Sequence, residues 1–359
     1  MDGGTVLVLG AGATLGGGFR IQRDNGNFQP PLDRDFFETP AVQVIFNRDG
    51  FPTLAHYQRV SSLETTWAAV DLYHKLCRTG IISEEVTDQT LAVALEQRAN
   101  GDQAYRMKME REARRWRVPS MAGWELLIVI SRVFQALIHP NPQQSALHVL
   151  VERLLQQLLL GVITFNYDTS LERLQEQLHQ NQFYYPLLEG QNSERRFPLF
   201  KLHGSLNWQT DSLNRRITVL GPDQIAEMNH GDGWYRQPEV VGPTFFKQEI
   251  TFDVQQDFRA IYYRQLWGNA WDLLRSARYL IFVGFSFPQT DFHAQALFRT
   301  AHLSGNGFRR VVLCHHHDAN LRGIASQVFA DRPVLFTEFK DGLESMAGRL
   351  DEVVHLLQS

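Results

Sequence analysis

The chain has little cysteine: Cys77 and Cys314 are the only two in 359 residues. Two thiols cannot build a disulfide framework or a four-thiolate zinc site, and they suit a reducing compartment. No apolar run is long enough to span a bilayer, and Asp2 stands where a secretory signal would be basic. Excess charge is missing too: 35 basic against 39 acidic residues leave a net charge of −4, which excludes a polyanion-binding tail or a membrane-surface character. Internal repeats and low-complexity segments are absent. These absences point to a cytoplasmic protein with no membrane attachment, whose apolar fraction of 43% suffices for a packed core.

What is there is an α/β pattern. Thr5 to Leu9 form a short apolar run ended by Gly10, as expected of a buried parallel strand entering a loop, with a helix from near Ala13. Pro30 and Pro31 break the chain before a loop over 33–37, and no second strand follows at the usual crossover distance. From about Pro52 to Leu160 the pattern is helical, with Leu147, Leu150, Val151, Leu154, Leu155 and Leu158 at the spacing of one helix face. Strand and helix patterns then alternate: strands at 162–165, 198–202, 279–284, 310–314 and 334–336, with helices at 171–178 and after Asp291, Asn320 and Asp341. Several such units predict an α/β fold, a doubly wound Rossmann-like parallel sheet with a large helical insertion. The expected division is 1–40 plus 156–359 for the α/β domain and 41–155 for the insertion, with an irregular, loop-rich cap between Ser205 and Phe258.

Four strand ends carry candidate chemistry. Gly10, Ala11, Gly12, Ala13 and Thr14 occupy the first turn, where glycines let a backbone approach a pyrophosphate; a tight turn without a ligand is the alternative. Thr164, Asn166 and Asp168 end the strand from Val162, where side chains reach into the crevice; Asp168 as a plain helix cap accounts for one of the three. His203, followed by Gly204 at a strand terminus, is placed for the general-base work to which an imidazole is suited, although a lone histidine is more often structural. Gly284 and Ser286 can approach a ribose or phosphate, while Thr290 or Asp291 caps the next helix.

Taken together, Gly10-Ala11-Gly12, Thr164-Phe165-Asn166-Tyr167-Asp168, His203-Gly204 and Gly284-Phe285-Ser286 resemble, in the same order, the motifs of the sirtuin superfamily. The resemblance implies that Gly10, Ala11, Gly12, Ala13 and Thr14 hold the phosphates of NAD. It implies further that Thr164 binds the cofactor, that Asn166 and Asp168 lie by the nicotinamide ribose and carboxamide, that His203 is the general base, and that Gly284 and Ser286 meet the adenosine side. An adenosine-ribose contact is implied within 315–320. Deacylating sirtuins carry four zinc cysteines after His-Gly, whereas only Cys314 follows His203 here, so no zinc is expected. Three successive histidines, His315 to His317, point in different directions and make a poor metal site.

A sirtuin-like core without the ribbon and with a helical insertion is similar to the bacterial branch that depletes NAD in antiviral defence. That resemblance implies an NAD glycohydrolase yielding nicotinamide and ADP-ribose, with Asn166, His203 and Asp168 catalytic and NAD as substrate. An NAD-dependent deacylase or ADP-ribosyltransferase is the alternative within the same chemistry, and a non-catalytic NAD or ADP-ribose sensor the alternative outside it. The expected partners are further copies of the chain and a separate sensor or activator, with a ring-shaped ATPase and an Argonaute-type protein among the candidates. The basic run 106–117 is either a nucleic-acid contact or, with Glu110 and Glu112 interleaved, a solvated helix face. Trp116, Trp124 and the run 126–130 fit a helical core or a subunit interface, and Glu64 either reaches the site or is exposed.

Overall fold

The computed structural model describes residues 4–23, 26–32, 35–49, 62–63, 65–70, 123, 125–156, 159–180, 182–188, 197–211, 213–226, 229–230, 235–242, 258–288, 291–316 and 320–358. Glu64, the basic run 106–117, Trp116, Trp124, Thr290, His317 and Asp318 lie outside them, as does most of the helical block. The chain divides into two compact units, Met1–Gln22 with Leu137–Val241 and Phe246–Ser359, and Arg23–Ala136 with Gly242–Phe245. Within the second unit Leu126, Val129, Ile130 and Val133 are fully buried.

The first unit is built on seven strands: β1 (Gly4–Leu9), β2 (Leu159–Thr164), β3 (Phe183–Tyr184), β4 (Phe197–Lys201), β5 (Ala277–Val283), β6 (Arg310–Cys314) and β7 (Leu335–Phe339). They lie in the order β7-β6-β5-β1-β2-β4-β3, and all pairings are parallel. The sheet is the α/β arrangement that the alternating pattern predicts. β1 is central because its side chains are apolar throughout: Val6, Leu7 and Val8 are fully buried, as a strand covered on both faces requires.

From β1 the chain moves to one side, to β2; from β5 it moves to the other, through β6 to β7. Right-handed crossovers in opposite directions put their helices on opposite faces of the sheet. Helices Ala11–Gly16, Ala146–Leu155 and Gly342–Ala347 pack on one another, while Phe258–Ser276 packs on β1 and β2 and against Phe292–Ser304. Leu147, Leu150, Val151 and Leu154 form the buried face of Ala146–Leu155, as their spacing predicts. Arg20–Arg23 joins no strand of the main sheet; its first two residues pair antiparallel with Leu137–Ile138.

The segment after Ser205 departs from the expected irregular cap. Gly204–Asp211, Arg216–Val219, Asn229–His230 and Tyr235–Val240 form a four-stranded antiparallel sheet. Leu206 and Trp208, and Ile217 and Val219, do alternate with polar residues, but the runs are short and polar-rich, so tertiary pairing is what defines them as strands. Trp208 anchors this sheet; it is fully buried, with Tyr185 and Tyr262 edge-on at 5.2 and 5.9 Å.

Two buried histidines tie stability to pH. His302 receives the Phe308 N–H on Nδ1 at 2.9 Å and sets Nε2 3.2 Å from the Arg332 carbonyl, so the neutral ring satisfies both contacts. His139 does the same between Asn141 N–H and the Gly17 carbonyl. Burial holds both below the ordinary 6.5. The unfolded chain therefore binds protons first as pH falls, and stability is full above 6.5 and declines from there toward the lower folded values. Urea midpoints at about pH 7.5 and about pH 5.5 should drop on acidification, and less so in His302→Gln; equal drops would remove His302 from this account.

Candidate functional site

The chain leaves β1 and β5 in opposite directions, so their carboxyl ends make a topological switch point, where α/β proteins bind ligands in a crevice outside the strand ends. The loops after β1 and β5 touch through backbone. Gly10 N–H donates to the Val283 carbonyl at 3.0 Å and Gly12 N–H to the Gly284 carbonyl at 3.1 Å. A Cβ on Gly10 would lie 2.4 Å from the Gly284 oxygen, and one on Gly12 would lie 2.8 Å from the Gly284 Cα. These glycines thus first serve loop-to-loop contact. Ala13 N–H is used as well, on the Gly10 carbonyl at 2.9 Å. Ala11 N–H has no partner among the described residues, and Ala11 and Ser286 are exposed. An amide donor and a hydroxyl are therefore offered at the rim.

Beside this crevice Asn166 is held by its amide nitrogen, which donates to the Gly10 carbonyl at 2.9 Å and to Thr14 Oγ1 at 3.3 Å. A carbonyl only accepts, so the group facing it is the NH2 and Oδ1 is turned elsewhere. Thr14 Oγ1 in turn donates to Asp168 Oδ2 at 2.9 Å and lies 3.3 Å from Ser170 Oγ. Asp168 is buried, and its Oδ1 accepts the Ser170 N–H at 2.9 Å. Both carboxylate oxygens of Asp168 are thus engaged in holding Thr14 and the start of helix Ser170–Gln177. Thr164 is committed likewise: Oγ1 donates to the Leu9 carbonyl at 3.3 Å and accepts the Asn166 N–H at 3.1 Å.

Lys201, on β4 and 1% exposed, closes this assembly from below, donating to the Asp168 carbonyl and pairing with Glu172 at 2.9 Å. Tyr185 donates to the same Glu172 oxygen at 2.6 Å. A buried ammonium needs such partners to remain charged.

His203 follows β4 and is buried. Its ring meets Phe165, the neighbour of Asn166, edge-on at 5.1 Å, and Phe165 stacks on Phe285 at 4.7 Å. Nε2 of His203 lies 3.0 Å from Asp291 Oδ2. The backbone here is clamped by the small sheet: Val241 N–H donates to the His203 carbonyl at 2.9 Å, Leu206 N–H to the Tyr167 carbonyl at 3.0 Å, and Tyr167 OH to the Val241 carbonyl at 3.1 Å. Gly204 is obligatory at this joint, with φ +78° and a Glu239 oxygen 2.1 Å from where a Cβ would sit.

Residues 161–333 match the family model described as SIR2-like domain. No match was found among curated proteins. Among solved structures, one described as "Structural Basis for the Mechanism and Regulation of Sir2 Enzymes" is similar at 17% identity over 66% of this chain and 80% of that one, with a TM-score of 0.37. A Sir2 homologue mutant–ADP ribose complex is similar at 12% identity over 98% of this chain and 93% of that one, TM-score 0.40.

The SIR2-like span contains Thr164, Asn166, Asp168, His203, Gly284 and Ser286, while Gly10 to Thr14 precede it. One hydrogen-bonded cluster unites Gly10, Thr14, Thr164, Asn166 and Asp168; backbone contact adds Gly12 and Gly284, and Phe165 links the cluster to His203. In the 315–320 stretch, His315 is buried with Nε2 3.5 Å from Glu338, whereas His316 and Asn320 are exposed. Sequence reasoning missed Lys201, which reads as an ordinary strand-end lysine. It took Asp291 only as a cap, which it is, accepting the Ala294 N–H at 3.4 Å, but its second oxygen faces His203. Among the described residues no group of three or more His, Cys, Asp or Glu is placed to hold a metal ion, and no helix is long and apolar enough to cross a membrane.

Cys314 ends β6 beside this edge, its carbonyl accepting the Gly284 N–H at 2.9 Å. Burial pushes its thiol up to about 12, so almost no thiolate forms near neutrality. Peptide mapping after iodoacetamide treatment of the native protein should find Cys314 unmodified and, after urea, fully modified; rapid native labelling would contradict this.

Proposed function

We propose that the chain is an NAD glycohydrolase, releasing nicotinamide and ADP-ribose. The observation that carries this reading is Asn166 pinned by its NH2 to the Gly10 loop at the switch-point crevice, inside a SIR2-like domain. Its Oδ1 is an acceptor suited to orient a water or a ribose hydroxyl. The residues fit a dinucleotide: the Ala11 N–H suits a phosphate oxygen, and Ser286 suits a ribose hydroxyl. Hydrolysis exchanges the ribose–nicotinamide bond, whose electron pair leaves on nicotinamide, for a bond to water oxygen. His203 takes the proton that water loses. Asp168 acts at one remove, fixing Thr14 and hence Asn166.

Water is proposed as acceptor in preference to acyl-lysine because two cysteines in the sequence are too few for the four-thiolate ribbon of the deacylating relatives. Incubation with NAD should yield nicotinamide and ADP-ribose in equal amounts, unchanged by an acetyl-lysine peptide. O-acetyl-ADP-ribose formation would favour the deacylase, and NAD binding without product the sensor. We further propose that the activity serves antiphage defence by NAD depletion, under control of self-association and a separate activator. Cells expressing the His203→Ala variant should lose protection in plaque assays, and equal protection would refute that role.

A further inference from the structure

We propose that Lys201 is a positioning residue for Asn166 and His203, its ammonium fixing the turn that carries Asn166 and Asp168 against the strand end that carries His203. Its place in the sheet brings this about. Lys201 pairs with Thr164 across β4 and β2, so it stands level with the point where the turn leaves the sheet. Its Nζ donates to the Asp168 carbonyl, and to Glu172 Oε1 at 2.9 Å, with the Lys201 and Glu172 side chains 1% and 13% exposed. His203 follows two residues later on the same backbone, and the Leu202 N–H between them donates to the Thr164 carbonyl at 3.0 Å.

The Asp168 carbonyl is the back of a residue whose side chain faces the cluster. Asp168 Oδ2 accepts from Thr14 Oγ1 at 2.9 Å, and Thr14 Oγ1 accepts from the Asn166 NH2 at 3.3 Å. Displacing the Asp168 backbone therefore displaces Thr14 and Asn166 with it. An ammonium suits this position because it offers several donors on one atom at the end of a flexible stem, enough to serve a carbonyl and a carboxylate together. Glu172, in the first turn of helix Ser170–Gln177, keeps the charge paired and receives Tyr185 OH on the same oxygen at 2.6 Å. The effect on NAD cleavage rests on the glycohydrolase reading; the hold on the turn does not.

Lys201→Met removes the donors but also strands the Glu172 carboxylate, so the decisive variant joins Lys201→Met to Glu172→Gln and removes both charges. Two amides report the turn itself: Asn166 N–H on Thr164 Oγ1 at 3.1 Å and Ser170 N–H on Asp168 Oδ1 at 2.9 Å. In hydrogen exchange read by NMR, both should exchange about tenfold or more faster in the double variant than in the wild type, the factor that one lost charged hydrogen bond gives to local opening. The amides of Val6 to Val8 in β1 should keep their rates. Nicotinamide release should fall about a hundredfold, in kcat rather than KM, as misplacement of a catalytic group requires. A lysine serving stability alone would speed the turn and β1 amides together, or leave both at wild-type rates with wild-type kcat; either result overturns the proposal. If neither variant folds, the wild type decides through nitrogen-15 NMR of its lysine side chains: an ammonium signal protected from exchange with water supports the hold, and its absence overturns it. Fast exchange confined to the turn, in a protein that does not cleave NAD, supports the positioning role and refutes the NAD reading alone.

Discussion

Replacing His203 by alanine lowers the rate of nicotinamide release from NAD by about two to four orders of magnitude, the range that a positioned general base supplies. The loss falls on kcat, since the imidazole acts on a proton in flight while substrate binding is left to the strand ends at the switch point. Structural damage is the competing explanation, because the ring packs against Phe165 and truncation leaves a gap there. Asn166→Ala provides the comparison: it leaves the Gly10 carbonyl with the Ala13 N–H alone, breaks the bond to Thr14, and so raises KM as well as lowering kcat. If the two residues serve one step, the double variant is barely slower than the worse single one. Product release by both single variants at the wild-type rate would remove these residues from the chemistry. So would a fall matched by equal loss of folded protein.

How much of this was legible depends on what made each residue visible. β1, β5 and β6 announce themselves because continuous apolar runs such as Val6 to Val8 have no other explanation in a parallel sheet. Asn166 and His203 were visible as polar side chains at the ends of such runs. The assignment of Asp168 was not complete: sequence marks it as a cap or a catalytic residue, and only tertiary structure brings Thr14 onto its second oxygen. Asp291 was hidden for the same reason. Its capping bond to Ala294 is local and readable, while its approach to His203 joins two strand ends that the chain order separates. The antiparallel strands after Gly204 had only a weak periodic signal, Leu206 with Trp208 and Ile217 with Val219, yet this segment clamps the His203 and Tyr167 backbone. The glycines of the first turn were read as room for phosphate; in the structure their missing side chains are required first by the Gly284 loop.

That requirement yields the largest stability effect. Gly284→Ala should destabilise the first unit by roughly 2–5 kcal/mol, adding about 1–2 for a left-handed backbone and about 1–3 for overpacking. At φ +60° the new Cβ would stand 2.3 Å from the Gly12 carbonyl carbon and 2.4 Å from Ala13 N, both backbone atoms with no rotamer to yield. Relief comes only by parting the two loops, which breaks the Gly12 N–H to Gly284 bond and shifts the Gly10 carbonyl that holds Asn166. Activity in the surviving folded protein should therefore fall along with the urea midpoint. Gly268→Ala is the opposite case: it lies exposed inside helix Phe258–Ser276 with nothing within 4 Å of its Cβ position, so alanine should stabilise by about 0.5–1 kcal/mol. Two glycine-to-alanine changes of opposite sign, read as urea midpoints on one protein, separate backbone contact from simple chain stiffening. If Gly284→Ala also raised the midpoint, the close approach of the two loops would be wrong, and with it the crevice that the proposed chemistry uses.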